Sequence, residues 1–65
     1  MITLRDFLEL AMDDCYTINI YSIGKGKEIH QKEVSEIMER DDIIDEYVRS
    51  WDIEYTTKEL CINID

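Results

Sequence analysis

The sequence predicts an α+β fold in a single domain spanning 1–65: an N-terminal helix packed on a three- to four-stranded antiparallel sheet, with a short acidic helical segment between strands. Three observations carry this reading. Leu4, Phe7, Leu8 and Ala11 recur at the i, i+3, i+4, i+7 spacing of a helix with one buried face. Tyr16, Ile18 and Ile20 alternate with Thr17 and Asn19, and Leu60, Ile62 and Ile64 alternate with Cys61 and Asn63, the period of a half-buried strand. Gly24-Lys25-Gly26 is the clear backbone break and suits a hairpin.

Each element has its own local signals. Thr3 can cap the helix, with Asp6 at the third helical position as a short-armed capping box and Ile2 and Phe7 placed as a hydrophobic staple. Asp13 and Asp14 oppose the macrodipole at the far end, which places the helix over about 3–12. A strand follows over Cys15–Tyr21, and the glycine turn leads into a second over Lys27–Lys32. Trp51, Ile53 and Tyr55 alternate with Asp52 and Glu54 as a further strand. Leu4, Phe7, Leu8 and Ala11 are expected to meet Ile18, Ile20, Ile62, Ile64 and Trp51.

Between these lies Ser35–Val48, where Ile37, Met38, Ile44 and Val48, with the preceding Val34, fit one helical face. Glu36–Arg40 and Asp45–Arg49 have favourable i, i+4 spacing, but the central Asp41-Asp42 pair is a poor helix former. The expectation is a short helix over about 35–40 followed by a turn, with the apolar stripe inward and the carboxylates in water.

Composition sets the limits. Apolar residues are 45% of the chain, ordinary for a globular domain, while charged residues reach 35% and acids outnumber bases sixteen to seven. Folding at this size buries only roughly 60% of the surface that the unfolded chain exposes, so stability is marginal. The net charge of −9 opposes direct binding to nucleic acid or to an anionic membrane, both of which are held by Lys and Arg clusters. It suits a basic protein partner. No apolar run approaches the roughly 20 residues needed to span a bilayer, and no signal-peptide pattern is visible. A cytosolic setting with both thiols reduced is expected.

The densest negative charge is EIMERDDIIDE, where Glu36, Glu39, Asp41, Asp42, Asp45 and Glu46 face one cation, Arg40. Carboxylates on a helix, at about 1.5 Å rise per residue, approximate the spacing of duplex phosphates at roughly 1.7 Å of axis per charge. A basic groove built for nucleic acid would be attracted to such a surface. These six residues, with Tyr21 on the Thr17/Asn19 side of its strand, are the candidate partner-binding set.

Other chemistries lack their residues. The acids have neither the glycine nor the spacing of a calcium loop. His30 is the sole histidine, and with Cys15 and Cys61 it has no zinc-ligand spacing. Lys27 is followed by Glu28 where a phosphate loop needs Ser or Thr. Ser22, Ser35 and Ser50 lack a nucleophile elbow. No enzyme activity, metal or cofactor is expected.

The opening Thr3-Leu4-Arg5-Asp6-Phe7-Leu8-Glu9-Leu10, the Ile18-Asn19-Ile20-Tyr21 strand and the terminal Ile62-Asn63-Ile64 resemble small acidic proteins of unassigned function from bacterial phages and conjugative elements. The resemblance implies a mobile-element origin. Proteins of that size and charge from such elements include inhibitors of host defence, among them anti-CRISPR proteins that occlude nucleic-acid sites.

The leading expectation is a non-enzymatic inhibitor that docks on a basic nucleic-acid-binding host protein, such as a CRISPR nuclease, and blocks nucleic-acid access. The alternatives are an oligomeric sponge for a nucleotide signal, supplied with cations by Lys25, Lys27, Arg49 and Lys58, and a structural accessory protein whose acidity maintains solubility. An open sheet edge would offer a route to a homodimer.

Overall fold

In the computed structural model, which describes residues 1–10, 16–31 and 33–65, the elements follow in the order α1 (Leu4–Leu10), β1 (Thr17–Ser22), β2 (Lys27–Gln31), α2 (Val34–Met38), β3 (Val48–Glu54) and β4 (Glu59–Ile64). The fold is α+β, as the periodicities predict. The expected Ala11 contact, and the expected positions of Asp13, Asp14, Cys15 and Lys32, lie outside the described residues.

The start of α1 forms as its sequence signals. Thr3 Oγ1 accepts the Asp6 N–H at 3.2 Å, and the Phe7 N–H donates to the Thr3 carbonyl at 2.9 Å as the first helical bond. Two further N-terminal donors, which no short helix can satisfy internally, reach another part of the chain. Leu4 N–H donates to the Glu46 carbonyl at 2.8 Å and Arg5 N–H to the Ile44 carbonyl at 2.9 Å. A Thr3–Tyr47 bridge and a Val48 N–H bond to the Ile2 carbonyl extend this contact. The residues before α1 are thus laced along the segment that leads into β3.

The four strands form one sheet in the order β2-β1-β4-β3. Both outer pairs are antiparallel: β1 with β2 across the glycine hairpin, and β3 with β4 across a four-residue turn at Tyr55–Lys58. The central pair, β1 with β4, is parallel, which differs from the wholly antiparallel sheet expected. Tyr55, expected within a strand, lies in the turn beyond β3 and is 73% exposed.

The core occupies one face of the sheet. Ile18 and Ile20 of β1, Ile29 of β2, and Leu60, Ile62 and Ile64 of β4 are buried beneath Leu4 and Leu8 of α1, Ile37 of α2, and Ile43 and Ile44 of the turn that follows. Phe7 packs against this core and meets Trp51, itself 55% exposed on β3, with ring centroids 5.8 Å apart and planes tilted by 51°. Most of the expected helix–sheet contact is therefore present.

Ser22 is the buried polar exception among the described residues. Its Oγ donates to the Asp65 carbonyl at 3.1 Å and accepts the Lys25 N–H at 3.2 Å, so the hydroxyl is satisfied and ties the hairpin to the end of β4. Nearby, a Cβ at Gly24 would meet the Asp65 carbonyl carbon at 3.3 Å. Gly26 has φ +64°, a left-handed conformation that closes the turn and that glycine adopts without strain.

Candidate partner-binding surface

The acidic segment is a short helix followed by turns, not a continuous helix. α2 ends at Met38, and Ile43 and Ile44 N–H both donate to the Arg40 carbonyl, at 3.1 and 2.9 Å. A third bond, Glu46 N–H to the Ile43 carbonyl at 3.0 Å, completes the bend. The break coincides with Asp41-Asp42. Arg40 folds onto Asp42 two residues later, and residues at that spacing do not face one another on a helix.

This turn geometry replaces both expected i, i+4 ion pairs. Arg40 pairs with Asp42 rather than Glu36; Asp45 pairs with Arg5 at 3.2 Å, and Arg49 with Asp65 at 2.9 Å. Val48, expected on the same apolar helical stripe, belongs to β3 instead. Ile43, which the helical pattern does not select, is fully buried with Ile37 and Ile44.

The six candidate carboxylates therefore divide into two groups. Asp42 is partly neutralised by Arg40 and by Lys25, whose Nζ lies 3.8 Å from the carboxylate and donates to the Asp42 carbonyl at 2.9 Å. Hydrogen bonding from Arg40, with a smaller attraction from Lys25, holds the Asp42 carboxyl below its ordinary value, and Asp42 in turn raises Arg40. Asp45 is offset by Arg5. Glu36, Glu39 and Asp41 are exposed and have no ion pair among the described residues, whereas Glu46 is half-buried.

Compared with known protein families, curated proteins and solved structures, the chain matches none.

The second face of the sheet, from which the sequence singles out Tyr21 alone, has a polar composition. Register places Glu28, Tyr21, Asn63 and Ser50 in one row across it, His30, Asn19, Cys61 and Asp52 in the next, and Thr17, Glu59 and Glu54 in a third. No helix or strand among the described residues covers this face. Tyr21 is 41% exposed here, the outward placement that its strand position predicts. It is not beside the α2 acids, because the sheet lies between them.

Amides knit the centre of the face. Asn63 Nδ2 donates to Ser50 Oγ at 2.8 Å, and Asn19 Nδ2 donates to Glu59 Oε2. The other end of that amide, Asn19 Oδ1, is buried and lacks a partner. Glu28, Asp52, Glu54 and Glu59 come from three strands, so no local charge count reveals their common face. The visible signal is alternation: Asp52 and Glu54 interleave with Trp51 and Ile53, just as Asn19 interleaves with the β1 isoleucines.

Among the described residues, no group of three or more His, Cys, Asp or Glu is placed to hold a metal ion. No helix among them is long and apolar enough to cross a membrane.

Proposed function

We propose that this protein is a non-enzymatic inhibitor that docks by its acidic surface on a basic nucleic-acid-binding protein and blocks access of nucleic acid. The supporting observation is the fixed presentation of Glu36, Glu39 and Asp41. They flank Ile37, Ile43 and Ile44, each with no exposed surface, and the chain just beyond them is tied to α1 through the Ile44 and Glu46 carbonyls. Ordering is thus achieved by folding, which lowers the entropy lost when a partner docks. Exposed carboxylates on such a support attract a basic groove strongly at low salt and weakly at high salt.

A nucleotide sponge has less support. Of its four suggested cations, Lys25 and Arg49 are engaged with Asp42 and Asp65. A host-defence nuclease from a bacterium carrying mobile elements is the partner class that the sequence resemblance suggests.

The test is affinity capture from bacterial lysate at low salt, followed by a competition assay between each purified captured protein and duplex DNA. The expected result is a basic protein that elutes with moderate salt and loses DNA binding when this protein is added. Glu36→Lys, Glu39→Lys and Asp41→Lys together should abolish the inhibition. These positions are preferable to Asp42 and Asp45, whose reversal would also break internal ion pairs. Undiminished inhibition by the triple variant would refute docking through this surface.

A further inference from the structure

We infer that the sheet face left uncovered by the described helices and strands is a second docking surface, and that its occupant is an arginine-rich polypeptide segment. This inference is independent of the α2 surface, which lies on the other side of the sheet. Glu28, Asp52, Glu54 and Glu59 share the face by register, and none is in an ion pair among the described residues. Lys27 belongs to the other face, opposite the buried Ser22. An approaching cation therefore meets less internal neutralisation here than at the turn, where Arg5, Lys25 and Arg40 compensate Asp42 and Asp45.

Two features, both centred on Glu59, point to a cation. Glu54 and Glu59 are direct register partners, and like charges placed opposite one another across strands are unfavourable. A guanidinium between them would convert that repulsion into two attractions with bidentate geometry. Asn19 is the other feature: its Nδ2 serves Glu59 while Oδ1 has no donor. Drawing Glu59 towards a partner cation frees the amide to turn and accept from one of the five N–H groups that arginine carries. Tyr21, 41% exposed in the row it shares with Glu28, supplies an aromatic surface on which a further guanidinium of the segment can stack. Nucleic acid and anionic lipid have the wrong sign, as does a second copy of a chain with net charge −9.

The test uses a deca-arginine peptide as probe, with calorimetry at low salt and amide NMR of the intact protein. Glu28→Gln, Asp52→Asn and Glu54→Gln together remove charge while retaining the oxygens that accept the Ile53 and Thr56 N–H groups. This variant should weaken binding by roughly tenfold or more, whereas Glu36→Gln, Glu39→Gln and Asp41→Asn together should weaken it less than about threefold. Tyr21 and the Asn19 side-chain amide should shift most on titration. Equal losses in the two variants, an unaffected sheet-face variant, or shifts confined to residues 36–46 would overturn the proposal. Because the α2 variant is measured separately, failure here leaves the inhibitor reading to its own test.

Discussion

Arg40 grips Asp42 with two parallel hydrogen bonds, Nε to Oδ1 and Nη2 to Oδ2, each 3.0 Å long. The pair closes over Asp41 at the point where the chain leaves its helical path. It converts the most charged part of the segment into a staple that holds the turn.

Asp42 should accordingly titrate below the ordinary aspartate value of about 3.9. Side-chain carbon NMR would follow it, and Arg40→Gln should return it towards the ordinary value. Because the folded value is lowered, the pair stabilises the fold above the unfolded aspartate value, and that contribution disappears as pH falls through the lowered one. The residue is exposed, so the effect on global stability should be small, and the titration is the decisive readout.

Ile44 has no exposed surface, and its carbonyl accepts the Arg5 N–H. Ile44→Ala should destabilise the protein by about 2–5 kcal/mol, the range for emptying a core position of this size. In a domain this small, that is much of the total. Urea unfolding monitored by circular dichroism should show a midpoint far below that of the parent, and a change under about 1 kcal/mol would contradict the packing described.

The only tryptophan reports on the docking of α1. Phe7→Leu should move Trp51 emission to longer wavelength by removing the ring 5.8 Å away. A double-mutant cycle with Trp51→Leu should give a coupling of about 0.5–1.5 kcal/mol. Zero coupling would mean that the rings touch without contributing.

Ser22→Ala should cost about 1–3 kcal/mol, although it makes the core more apolar. The substitution leaves the Lys25 N–H and Asp65 carbonyl without the partner that Oγ provides. Thermal unfolding would measure this, and a variant as stable as the parent would show that water replaces the hydroxyl without loss.

How legible this molecule is from sequence depends on the range of each interaction. The Thr3 cap, the alternation of Ile18 and Ile20, and the glycine hairpin act within a few residues, and the sequence reading recovers them. The parallel pairing of β1 with β4 depends on which distant strands share a hydrophobic face, and isoleucine alternation is indifferent to strand direction. The same range separates what was seen of the surface from what was missed. The run from Glu36 to Glu46 stands out in one dimension, yet Arg5 and Lys25 come from other elements to offset part of it. Glu28 and Glu59 look unremarkable singly because only register unites them on a face.

The parallel junction also sets the order in which this chain can become a protein. β1 has β4 on one side, and β3 has no other neighbour in the sheet. Contacts such as Asn19 with Glu59 join residues 40 positions apart. A ribosome emitting the chain therefore releases a helix, a hairpin and a third strand with nothing to hold them in one sheet. Only when residues 59–64 emerge do both halves acquire a common centre. Closing that long loop precedes most of the reward for doing so, which favours abrupt, late folding and leaves β1 and β3 open to other partners until then.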